Sequence, residues 1–248
     1  MKGAGHIPSM IHFFGPDGAG KTTQVHILIR RVKSDEPNVR KCWIRSPHTL
    51  AFLLWRVFVR IGFYRVTKNP MGIEIKLPAV DRSRVLTDFW VLAEFFSVLP
   101  LILRINLAIK RGRRFIAERY IFDTITTIAF FINDIKFLNS RVARLLLLFM
   151  PRDTVFIFLD SDFKTVYGRR ANIYASGFKE KGRTYGMVPR SAVEPEEFIN
   201  FQRRAYQTLA RSFNAFTINT VESSIDKTSQ AILNYVRSFS RFPAENGS

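Results

Sequence analysis

The run Gly15-Pro16-Asp17-Gly18-Ala19-Gly20-Lys21-Thr22-Thr23 has the residue types and the spacing that phosphate chemistry requires. Glycines let backbone N–H groups turn inward around phosphate oxygens, and a helix starting at the loop adds its positive N-terminal end. Lys21 is placed to reach the β and γ phosphates of a nucleoside triphosphate, and the Thr22 hydroxyl to ligate a bridging Mg²⁺ ion. The expected phosphate cradle therefore comprises Gly15, Asp17, Gly18, Ala19, Gly20, Lys21, Thr22 and Thr23.

Such a loop works only between a strand and a helix. Met10-Ile11-His12-Phe13-Phe14 reads as a short buried strand, and Val25, Ile27, Leu28, Ile29 and Val32 give the following run a helical apolar rhythm. Further short apolar runs bounded by charged or turn residues predict strands over 41–45, 114–117, 154–159 and 216–219. Helical stretches are expected over 22–33, 80–110 with a break at Pro100, 122–149, 163–175, 195–213 and 224–239. The segment 50–66, with Phe52, Leu54, Trp55, Phe58 and Ile61 among Arg56, Arg60 and Arg65, reads as a basic apolar helix belonging to the core or to a subunit interface, with peripheral contact to a membrane surface as the alternative. Strands alternating with helices predict an α/β fold with a parallel sheet covered on both faces.

Composition narrows the setting. A chain of 248 residues with 47% hydrophobic residues suits a single domain over 1–241, followed by a disordered tail over 242–248. The 38 basic against 20 acidic residues, net +18, attract nucleotides, nucleic acid or an anionic membrane surface, and charge alone does not choose among them. The single cysteine, Cys42, excludes an internal disulfide framework and any cysteine-built zinc site, so a cytoplasmic setting is the default. Residues 1–9 are too short and polar for a secretory signal, and the longest apolar region, 89–109, carries Glu94, Pro100, Arg104 and Asn106, which argues against a membrane span.

Several segments in order resemble the thymidylate kinase family of P-loop nucleoside monophosphate kinases. The loop with Gln24 resembles G-x-D-G-x-G-K-[ST]-T-Q; Arg45-Ser46-Pro47 resembles R-E-P; and Arg114 to Tyr120, ending Glu118-Arg119-Tyr120, resembles the strand that ends in D-R-Y. Phe158-Leu159-Asp160 with Arg169-Arg170 resembles the strand leading into the lid, and Glu197-Phe198 through Arg204 and Tyr206 resembles the helix after it. The resemblance implies a P-loop NTPase three-layer fold, a five-stranded parallel sheet with a mobile lid near 168–192, and a homodimer. It implies phosphoryl transfer from ATP to a nucleoside monophosphate, dTMP to dTDP, with Mg²⁺. Lys21, Glu118, Arg119, Arg183 and Arg190 become the catalytic residues, Thr22 and Glu118 the metal residues, and Asp17, Arg45, Arg119 and Tyr120 the acceptor-binding residues.

The match weakens on the acceptor side. Phe95, in Trp90-Val91-Leu92-Ala93-Glu94-Phe95, stands where the family's third helix carries an arginine, Ser46 replaces the R-E-P glutamate, and 50–80 has no counterpart. Position 19 is alanine, so a catalytic arginine has to come from the lid, where Lys181, Arg183 and Arg190 are candidates. Two other readings stay open: a kinase acting on another phosphorylated acceptor, including a sugar or a lipid at a membrane surface, and a P-loop ATPase or regulator using Asp160 as its metal carboxylate. Basic motifs interleaved with aromatics, of the kind single-strand binders use, are absent from the sequence, which counts against a nucleic-acid partner.

Overall fold

A computed structural model describes residues 7–34, 36–175 and 193–239. Five parallel strands form the central sheet in the order β2-β5-β1-β6-β7: β1 Met10–Phe14, β2 Val39–Cys42, β5 Arg114–Glu118, β6 Thr154–Asp160 and β7 Phe216–Asn219. β1 lies at the centre, paired Ile11 to Ile116 on one side and Ile11 to Val155 on the other. Its side chains alternate between two cores. Ile11 and Phe13 face helices α1 (Lys21–Val32) and α8 (Ile225–Phe239) through Val25, Leu28, Ile232 and Val236. Met10 and Phe14 face the larger core, built on α3 (Arg84–Lys110), α4 (Ile121–Phe131) and α7 (Glu196–Ser212). Burial on both faces explains why the strands read as continuous apolar runs.

His12 joins the larger core. It is fully buried among Phe14, Tyr120, Phe122 and Phe156, and burial lowers its pKa to about 3, so the imidazole is neutral.

Three helical expectations are corrected. Helix α3 continues through Pro100, because that residue is exposed while its neighbours Val98 and Ile102 are wholly buried and pin the helix to the sheet. The stretch 122–149 is divided: α4 ends at Phe131, Asn133 takes a positive φ of 53°, the Asp134 carboxylate accepts from Lys136 N at 2.8 Å to cap a 3₁₀ turn over Ile135–Asn139, and α5 (Arg141–Leu147) follows. The stretch 50–66 is helical only through α2 (Thr49–Arg60). The chain then turns at Gly62, with φ of 77°, into an antiparallel hairpin of β3 (Tyr64–Lys68) and β4 (Glu74–Pro78) outside the main sheet.

This added unit is fixed to the domain. Ser97 Oγ accepts from Ala51 N at 3.0 Å, satisfying one of the free N–H groups that begin α2, and Trp55 Nε1 donates to Lys76 O at 2.9 Å. Helix α3 is long and apolar enough by length and composition to cross a membrane, and 28% of its most apolar window is buried.

Candidate phosphoryl-transfer site

The site lies where the strands end at their carboxyl termini. The loop after β1, the residues after β2 and β5, and the first turns of α1 and α4 all open there, which is where open α/β sheets bind ligands. Glycine is required at the first loop position: Gly15 has φ of 144°, and a Cβ there would stand 2.2 Å from Leu159 O on β6. Gly20, at φ 89° and ψ 11°, is the left-handed cap from which α1 starts, so the first N–H groups of the helix point into the loop.

Lys21 is folded into this loop. Its Nζ donates to Gly15 O at 2.6 Å and to Pro16 O at 2.7 Å, and lies 3.7 Å from Asp17 Oδ1. Burial lowers its pKa to about 8, against the opposing pull of Glu118 and Asp123. Thr22 Oγ1 donates to Glu118 Oε1, and Lys41 ion-pairs the other carboxylate oxygen. A cavity of about 390 Å³ is lined by Asp17 through Gln24, Glu118, Arg119, Arg169 and Arg170, with Thr220, Ser223, Ile225 and Thr228 closing it. Arg169 braces the far wall, donating to Thr220 O at 2.5 Å.

On the other side of the loop, two guanidiniums converge on one carboxylate. Arg45 Nη2 donates to Asp17 Oδ2 at 3.2 Å and to Glu194 Oε1 at 2.5 Å; Arg119 ion-pairs both Asp17 and Asp123. Arg119 itself has φ of 66°, a left-handed conformation that costs a bulky residue about 1–2 kcal/mol. Burial pushes its guanidinium pKa down, but Asp123, together with Tyr206 and Glu194, outweighs this and holds it above the ordinary value. The network extends through Tyr206 OH, which donates to Asp123 Oδ1 at 3.0 Å, and Gln202 Oε1, which accepts from Asp17 N at 3.3 Å.

Several buried polar atoms around this network have no hydrogen-bond partner among the described residues, among them Glu194 Oε2, Asp123 Oδ2 and Gln202 Nε2. Native interiors seldom leave such atoms unpaired, so their clustering marks a place for a polar ligand. Glu94, wholly inside α3, is pushed up to about 8 by burial, with a hydrogen bond from Ser46 favouring the charged form and Asp123 opposing it, so burial favours its neutral form.

The structure thus brings together Gly15, Asp17, Gly18, Ala19, Gly20, Lys21, Thr22 and Thr23 with Glu118, Arg119 and Arg45. Tyr120, expected at the acceptor, is wholly buried in the aromatic core, its ring edge-on to His12 at 6.0 Å. Arg183, Arg190 and Lys181 lie outside the described residues, as does most of the expected lid. Asp160 is committed elsewhere, held by Arg203 at 2.7 and 3.0 Å and by Gln207 at 3.2 Å.

Sequence reasoning did not find Lys41, Asp123, Glu194 or Gln202 as site residues. Lys41 carried a signal, since it sits one strand over from Glu118 in a parallel pairing that sets Lys41 beside Ile116. Glu194 and Gln202 reach the site only through tertiary structure.

The oxygens present suit a hard cation. Among the described residues no cluster of three or more His, Cys, Asp or Glu side chains could hold a metal by itself. Mg²⁺, however, is commonly bound by one or two protein oxygens together with substrate phosphates, and the adjacent Thr22 hydroxyl and Glu118 carboxylate at the cavity wall fit that pattern.

No family model matches the chain, and no curated protein matches it in sequence. Among solved structures it is similar to a thymidylate kinase from Candida albicans, at 14% identity and a TM-score of 0.56, over 94% of this chain and 92% of that one. The chain therefore shares the α/β fold of that thymidylate kinase, a five-stranded parallel sheet flanked by helices.

Proposed function

We propose that this chain is an ATP-dependent nucleotide kinase that moves the γ-phosphoryl group of ATP onto a nucleoside monophosphate, with dTMP the first candidate. The observation that carries the reading is the placement of two phosphate-binding arrangements side by side: the Lys21 loop, and the Arg45–Arg119 pair joined on Asp17. A P-loop ATPase needs the first alone. Asp160, the metal carboxylate that reading would use, is tied to Arg203.

In this reading the loop N–H groups and Lys21 hold the triphosphate, and Lys21 gives up its carbonyl partners for phosphate oxygens. Arg45 and Arg119 take the acceptor phosphate, releasing Asp17, whose carboxylate occupies the space between them in its absence. An acceptor phosphate oxygen attacks the γ phosphorus, the bond to the β–γ bridging oxygen breaks, and ADP leaves. Mg²⁺, when bound, neutralises charge on the β and γ oxygens, and Thr22 and Glu118 would hold it. The chain contributes position and cancelled charge, which are most of what this chemistry needs.

One observation favours a second reading, a kinase with a different acceptor. The apolar Phe95 stands at the helix position where an arginine would help hold the family's acceptor, next to the buried Glu94. ADP release from ATP and Mg²⁺, measured across a panel of nucleoside monophosphates beside a no-acceptor control, decides between them. Selective stimulation by dTMP supports the first reading; stimulation by another acceptor supports the second; equal turnover with and without every acceptor contradicts both.

A further inference from the structure

The hairpin β3–β4 contributes nothing to the parallel sheet, yet its tip is fastened to the site. Asn69, 4% exposed, spends its side chain fully: Oδ1 accepts from Met71 N at 3.0 Å and Ile73 N at 2.8 Å, and Nδ2 donates to Val193 O at 2.8 Å. Met71, beside it, packs against the small cluster of Val166, Val193 and Ile199. The residue after Val193 is Glu194, also 4% exposed, which accepts from Arg45 and whose Oε2 has no partner among the described residues. A side-chain hydrogen bond and the packing of Met71 thus connect the hairpin to the backbone that aims a buried carboxylate at the Arg45–Asp17–Arg119 network.

We propose that Glu194 receives a hydroxyl of the acceptor substrate on its free oxygen and that Asn69 is the positioning residue that holds it there. The inference rests on the kinase reading and deepens it, because it names a hydroxyl-bearing acceptor and the element that selects it. Two considerations carry it. A buried carboxylate oxygen with no partner costs about 1–3 kcal/mol unless something donates to it, and a sugar hydroxyl supplies that proton where an acceptor phosphate would repel it. A purely structural clasp would not need to end one residue from a carboxylate already bound to an acceptor-side arginine.

The test uses Asn69→Asp, which keeps the oxygen that caps the turn and replaces only the donor to Val193, together with Glu194→Gln and the double variant. Asn69→Asp is expected to raise the acceptor KM about tenfold, with kcat and the ATP KM within about twofold of wild type. In the Glu194→Gln background the same change should have at most about a twofold effect, because the two residues act through one contact. Hydrogen exchange at the amides of 193–199 should quicken in Asn69→Asp while those of β1 stay protected. Additive effects in the double variant, or a parallel loss in kcat and both KM values, overturn the assignment. Unchanged exchange at 193–199 removes the clasp itself. If the wild-type chain shows no acceptor-stimulated turnover, the kinase reading falls and the role of Glu194 with it, while the exchange result still decides the clasp separately.

Discussion

Replacing Glu94 by glutamine should make the protein's stability less dependent on pH, by an amount the structure sets. The Glu94 carboxyl is fully buried and is pushed up from an ordinary 4.5 to about 8, mainly by burial, with Ser46 pulling the other way. Because its folded-state pKa lies above the unfolded one, the folded chain holds the proton longer. Stability is full below about 4.5 and falls as pH rises through about 8, where the buried carboxylate must ionise. At about 1.4 kcal/mol per pH unit, the span from 4.5 to about 8 amounts to about 5 kcal/mol at saturation, of which about 1 kcal/mol is already lost near pH 5. Glutamine is isosteric and cannot ionise. The difference in unfolding free energy between Glu94→Gln and wild type, from urea transitions, should therefore grow in favour of the variant by on the order of 3–4 kcal/mol between about pH 5 and pH 8. A difference that stays flat across that range would refute the assignment of Glu94 as a buried neutral carboxyl.

Other expectations concern the site directly. Lys21→Ala should lower transfer by at least about 10²- to 10³-fold with the thermal transition little changed, and wild-type turnover in that variant would remove the loop from the chemistry. ATP affinity of the wild type should weaken as pH rises through about 8, where the free Lys21 ammonium loses its proton; a flat dissociation constant from about pH 6.5 to 9.5 would contradict the lysine's part in binding. Arg119→Lys keeps a charge against buried Asp17 and Asp123 but loses the planar fork, so the acceptor KM should rise about tenfold or more while the ATP KM stays within about twofold. Equal changes in both KM values would mean that Arg119 does not face the acceptor.

The elements that could be read from sequence are those whose signal is local. β1 and the loop after it combine five buried residues with glycines whose spacing allows few alternatives, and β7 is likewise bounded by turn residues. β2 was expected over 41–45 and runs Val39–Cys42, because Trp43 and Ile44 look strand-like but leave the sheet once the pairing with β5 ends at Ala117, Ile44 for the core and Trp43, half-buried, beside His48. The hairpin β3–β4 was hidden by the continuous apolar run of 50–66, although Gly62, Asn69-Pro70 and Gly72 mark its turns. Pro100 misled in the opposite direction, since a proline on an exposed helix face is tolerated where buried neighbours anchor both sides.

The site divides in the same way. Lys21 and Thr22 open α1 at the end of the glycine loop, and Glu118 and Arg119 end and follow β5, so motif and strand order together locate them. Asp123 and Tyr206 meet across 83 positions, and Asn69 reaches Val193 across 124. No periodicity carries such pairings, and the acceptor half of the site is built largely from them.

The central claim is that a phosphoryl group passes from ATP to a second substrate held by Arg45 and Arg119. Incubation with γ-labelled ATP, Mg²⁺ and dTMP or another monophosphate, followed by separation of the products, tests it most directly. The account predicts label in a nucleoside diphosphate with wild type, and loss of that label in Lys21→Ala. Label appearing only as inorganic phosphate, at a rate indifferent to every acceptor, would contradict it.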